Sequence, residues 1–139
     1  MTIQAAVTAI QGVVENVTGI QAAPDNPPDA MLAFPFSVTY PGTGTWITES
    51  AGQKKGLHNL VCEIHVQDIG GLGVAYQASV GYGDTVPNAL MSDPTLGGAV
   101  DTIVGEIRYT YGYLRWGSTE DQHLGWRFEI TVKDRGAIS

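Results

Sequence analysis

Apolar residues recur at steps of three and four between residues 3 and 17: Ile3, Ala6, Val7, Ile10, Val13, Val14 and Val17. That stripe predicts a helix with one buried side, and Gln4, Thr8, Gln11 and Glu15 form its polar side. Thr2 is placed to cap its start and Gly19 to end it. Residues 20–29 hold three prolines among polar turn formers and form a loop. Alternation then takes over. Leu32, Phe34, Phe36, Val38 and Tyr40 share one face of an expected strand over 31–40, with Pro35 suited to an edge or a bulge. Pro41–Gly44 reads as a turn, Thr45–Glu49 as a short second strand, and Ser50–Gly56 as a flexible polar loop. Leu60, Cys62, Ile64 and Val66 alternate with Asn59, Glu63, His65 and Gln67, which predicts a strand over 57–67.

A second helical stretch spans about 71–92, with Leu72, Ala75, Tyr76, Ser79, Val80, Val86, Leu90 and Met91 as its apolar positions. Gly81, Gly83 and Pro87 make it either kinked or two short helices. Asp84 is a candidate cap for the second piece. A hairpin closes the chain over 104–133. Ile107, Tyr109, Tyr111 and Tyr113 line one strand. Gly117–His123 connects it to Leu124, Trp126, Phe128, Ile130 and Val132, and Arg135–Ser139 reads as a frayed tail. The order of elements predicts an α+β fold in a single domain over 1–139. Its sheet is mixed or antiparallel, four- or five-stranded, with two main helices packed on one face.

Composition narrows the function. The chain has 139 residues, 43% of them hydrophobic, which suffices for one core. Its net charge of −7, from 14 acids against 7 bases, argues against a nucleic-acid-binding domain or an anionic-membrane binder. Charged residues make up only 15%, against about 25% in typical domains. A surface so poor in charge suits a subunit with buried faces, since interface cores are depleted in Lys, Glu and Asp. No apolar run is long enough to span a membrane, and the N-terminus lacks the basic start of a signal peptide.

Candidate chemistry is sparse. Gly70-Gly71-Leu72-Gly73-Val74 has the start of a dinucleotide-binding turn, but Tyr76 stands where that fingerprint needs a small residue. His58 and His65 point to opposite faces of one strand and cannot chelate one metal together. Cys62 lies among Leu60, Ile64 and Val66, as a buried structural thiol does. We find no catalytic constellation, no metal-ligand spacing and no cofactor motif. The aromatic set Tyr109, Tyr111, Tyr113, Trp116, Trp126 and Phe128 is the densest feature, suited to a sheet core and to an interface.

One resemblance draws these features together. The "FPFSVTYPGTGTW" and "LVCEIHVQD" strands precede "PNALMSDPTLGGAVDTI", and an aromatic hairpin closes on "HLGWRFEITVKD". Over residues 3–133 this resembles the tail terminator, or tail-completion, proteins of long-tailed double-stranded DNA bacteriophages. The resemblance implies a non-enzymatic virion protein, assembled in the host cytoplasm. A homo-hexameric ring would cap the head-proximal end of the tail tube, stop its polymerisation and dock the neck or head-completion protein. DNA would only pass through the channel. Candidate contact residues are Lys54 and Lys55, then Arg108, Arg115 and Trp116, then Glu120 and Asp121. The alternatives are a neck or minor tail ring protein, a small-ligand or peptide-binding module, and a small soluble enzyme.

Overall fold

The computed structural model describes residues 2–67, 70–116 and 122–138. It is an α+β domain with a five-stranded sheet in which every strand pairing is antiparallel. Helix α1 (Ile3–Val14) leads into the proline-rich loop and then strand β1 (Phe36–Ser50). Strand β2 (Gln53–Val66), helices α2 (Leu72–Ser79) and α3 (Tyr82–Met91), and a 3-10 turn at Leu96–Gly98 follow. The chain ends in β3 (Thr102–Ile103), β4 (Arg108–Arg115) and β5 (Gln122–Ala137). In space the order is β1-β2-β5, with β3 and β4 both paired to the far side of β5.

Thr2 caps α1 as expected, its hydroxyl accepting from the Ala5 N–H at 3.0 Å. The helix stops at Val14, three residues short of the expected end, although Val17 remains in the core. Ala6, Val7, Ile10 and Val14 are buried, as their spacing predicts. Each large apolar side chain placed this way contributes about 1.5–3 kcal/mol of transfer free energy. Gln11 departs from the reading, being buried rather than on the polar side. Its amide donates to the Pro24 carbonyl at 2.8 Å and the Ser37 carbonyl at 2.9 Å. Its oxygen accepts from Ser37 Oγ at 2.7 Å and Thr39 Oγ1 at 2.8 Å. One side chain therefore ties α1 to the loop and to β1, with both of its polar atoms satisfied.

The sheet corrects several expectations. Residues 31–35 lie outside any strand, and Leu32 is 92% exposed. The peptide bond before Pro35 is cis. Pro41–Gly44 is no turn: β1 runs through it, with a register shift where the pleat is interrupted. Ser50–Gly56 is no loop either. The chain reverses at Ala51–Gly52, where Gly52 takes a left-handed φ of 75°, and Lys54 and Lys55 already belong to β2. At the other end, Arg135 and Gly136 are paired with Lys55 and Lys54 instead of fraying.

The helices cover the sheet face that carries Leu60, Cys62, Ile64, Val66, Phe128, Ile130 and Val132. The expected second helix is two, broken at Val80–Gly81. Asp84 lies inside the first turn of α3 and is not its cap, which is Gly81. A carboxylate there still favours the positive end of the helix dipole. Gly83 needs to be glycine for space, since a Cβ would sit 2.5 Å from Trp126 Cη2.

Candidate interaction surfaces

Strands β1, β2 and β5 run on past the helices as a three-stranded arm, formed by residues 44–50, 53–58 and 132–137. Three strands hold together where a lone hairpin would be marginal. Residues 44–50 are exposed throughout, while Gly56, His58, Val132 and Asp134 are buried on one face; Trp46, Ile47 and Leu57 are each about half exposed. Lys54 and Lys55 lie side by side in sequence and so point to opposite faces. Lys54 Nζ lies 4.2 Å from the Trp46 ring centroid, within cation–π range. Lys55 stands between Ile47 and Arg135, and Arg135 reaches Glu49 at 3.6 Å in an exposed pair.

At the root of the arm, His58 is buried edge-on to Trp46, with centroids 4.3 Å apart. Glycines at 44 and 56 make room for its ring: a Cβ at Gly44 would sit 2.8 Å from Nδ1, and one at Gly56 would collide with Nε2. Burial pushes the His58 pKa down, Asp134 opposes that shift and Lys54 adds to it. Among the described residues, the buried His58 Nε2 and Asp134 Oδ2 meet no hydrogen-bond partner.

A second cluster sits under the loop on the helix-free face. Tyr40 donates its hydroxyl to Glu63 Oε2, and Glu63 Oε1 lies 2.8 Å from His65 Nε2. A carboxylate only accepts, so His65 carries a proton on Nε2. Its Nδ1 meets His123 Nδ1 at 3.0 Å, and Phe34 packs edge-on against the His123 ring. Burial, then the hydrogen bond to Glu63, pushes the Tyr40 pKa far above its usual value. No spacing in the sequence groups these four residues, because His123 lies fifty-eight positions from His65.

The remaining expected contact residues are spread out. Arg108 is exposed and pairs with Glu106 at 2.9 Å. It borders a cavity of about 440 Å³ lined also by Asn59, Gly105, Glu129 and Thr131. Arg115 donates from Nη2 and Nε to Gln122, at 2.9 and 3.0 Å with that amide's oxygen turned toward it. Trp116 is half-buried. Its Nε1 donates to the Pro28 carbonyl at 2.7 Å, and its ring lies 5.6 Å from Tyr40, so it holds the proline-rich loop on the sheet. Glu120 and Asp121 lie outside the described residues.

The surface that sequence reasoning missed is α2. Only Ala75 and Ser79 of this helix are buried. Leu72, Val74, Tyr76 and the adjoining Val80 point outward, from 38% to 60% exposed. Trp126 Nε1 donates to the Ser79 carbonyl at 2.7 Å and Ser79 Oγ meets Tyr111 Oη at 2.7 Å, which seats the helix on its small side chains. Tyr109 and Tyr113 extend the apolar area along β4 on the same side of the sheet, 63% and 49% exposed. The available signal was charge: nothing between Gly70 and Gly83 is ionised.

No protein-family model matches the chain. No curated protein matches it. Every Lys and Arg lies on a strand: Lys54 and Lys55 on β2, Arg108 and Arg115 on β4, and Arg127, Lys133 and Arg135 on β5. The three helices carry a single ionised side chain, Asp84. Among the described residues no group of three or more His, Cys, Asp or Glu side chains is arranged to hold a metal ion. The exposed glycine turn before α2 carries Tyr76 at the sixth position, where a pyrophosphate-binding turn needs a small residue.

Proposed function

We propose that this chain is a structural subunit of a phage virion. Six copies would form a ring that caps the head-proximal end of the tail tube, stops tube growth and presents a docking surface to the neck. The sequence resemblance supplies the particle and the position. The observation that carries the assembly role is the outward-facing apolar side of α2. A helix that turns Leu72, Val74 and Tyr76 to water, with no ionised residue among them, is a surface built to be covered.

Capping follows from asymmetry. A subunit whose two ends differ can satisfy the growing end of a tube with one and offer the next tube subunit nothing to pair with on the other. Ring closure requires heterologous contacts between unlike surfaces. The separation of charge, with bases on the strands and none on the helices, suits that arrangement.

The test is direct. Purified protein added to tube subunits during polymerisation should arrest growth, giving short tubes with one altered end in electron micrographs. Tubes that elongate at an undiminished rate would overturn the reading.

A further inference from the structure

We propose that the helix-free face of the arm binds an acidic, extended segment of a protein partner, whether or not the chain caps a tube. The first reason is the placing of like charges. Lys55 stands directly opposite Arg135, and Lys133 lies two residues along β5 on the same face. Side chains directly opposite start about 4.5–5.5 Å apart, and like charges there destabilise a sheet. Glu49 offsets one of the three bases, through its exposed 3.6 Å pair with Arg135. Among the described residues Lys55 and Lys133 form no ion pair. The chain has only 7 bases against 14 acids, so three gathered here are a concentration of charge that folding opposes. An anionic partner removes that opposition. Further along the same face Arg127 stands opposite Glu63 and Arg108 opposite Glu129, each base beside an acid. The excess of positive charge is therefore confined to the arm.

The second reason is what lies between the bases. Ile47 stands opposite Lys55 and Leu57 opposite Lys133, both apolar side chains about half exposed. A hollow of about 330 Å³ opens beside Leu57, walled by Thr43, Thr45, Asn59 and Thr131. An extended segment turns every second side chain the same way, about 7 Å apart, which is also the interval from Lys133 to Arg135. Its carboxylates would meet the bases, and an apolar side chain between them would enter the hollow. Nucleic acid fits this face less well. Trp46 belongs to the other face, so none of the paired arm residues here offers a ring for bases to stack on. A duplex would also meet a chain whose net charge is −7.

Fluorescence anisotropy with a labelled peptide of alternating glutamate and leucine tests this on the whole chain. The peptide should bind, and added salt should weaken it. The double variant Lys55→Gln, Lys133→Gln should lower the affinity about tenfold, as the loss of two exposed ion pairs does. Glutamine keeps most of each aliphatic stem and removes the charge, so the fold is not at stake. Leu57→Ser, at an exposed position, should also weaken binding. Lys54→Gln, on the opposite face, should leave it unchanged. The same peptide with glutamine in place of glutamate should bind far more weakly. Absence of binding by the acidic peptide would overturn the proposal. So would equal binding of the glutamine peptide, or an equal loss with Lys54→Gln. Short duplex DNA bound more tightly than the acidic peptide in the same buffer would overturn it in favour of a nucleic-acid surface.

Discussion

His65 and His123 face each other through Nδ1 at 3.0 Å, at the buried end of a chain that begins at Tyr40 and passes through Glu63. The carboxylate of Glu63 is held by two donors, the Tyr40 hydroxyl and His65 Nε2–H. One further proton is shared between the two imidazoles. Removing the Tyr40 hydroxyl leaves one oxygen of a buried carboxylate without its donor. Tyr40→Phe should therefore destabilise the fold by about 1.5–3 kcal/mol, the range for hydrogen bonds to charged groups. Urea unfolding measures this, and an unchanged midpoint would contradict the network.

His58 makes stability depend on pH. Burial lowers its folded pKa below the usual 6.5, so the unfolded chain binds the proton more readily. Its contribution is complete above pH 6.5 and is lost as the pH falls through the lower folded value. Between pH 7 and 5 the native protein should lose stability more steeply than His58→Phe, a variant of similar ring volume. Parallel curves for the two proteins would show that His58 does not titrate in this way.

Cys62 is fully buried against Ser37 Oγ at 3.6 Å, and burial pushes its pKa up. A thiol reagent reacts with the thiolate, so both effects suppress labelling. The native protein should remain unlabelled at neutral pH and react fully in urea. Prompt native labelling would place Cys62 outside the core.

Two glycines should respond in opposite directions to the same change. A Cβ at Gly125 would run into the carbonyl oxygen of Ile64, a backbone atom on the paired strand, and would lie 3.2 Å from Leu114 Cδ1. Gly125→Ala should cost about 3 kcal/mol or more. Gly12, in the interior of α1, has nothing within 4 Å of a new Cβ. Gly12→Ala should stabilise by roughly 0.5–1 kcal/mol through helix propensity. Thermal melts of the two variants decide the matter.

The parts of the fold that lie under helices were legible in the sequence. Leu60 to Val66 and Leu124 to Val132 alternate because one face of each strand meets α1 and α3. The arm was not legible, because no helix backs residues 44–56 and so no apolar period marks them. Pro41-Gly42-Thr43-Gly44 carries turn composition, yet its neighbours stay paired across the bulge. The orientation of α2 was hidden for another reason. Periodicity shows which residues are apolar, and here the side turned inward is set by the small Ala75 and Ser79 under close packing. Gln11 and His65 look like solvent-facing polar positions until their distant partners, Ser37 and His123, are brought beside them.

The proposed capping role assigns this chain's gene to a tailed phage, and it is tested most directly by electron microscopy of lysates of that phage with the gene deleted. The account predicts abnormally long tails without heads, because nothing would stop the tube. Tails of normal length would contradict it, whether they were attached to heads or free.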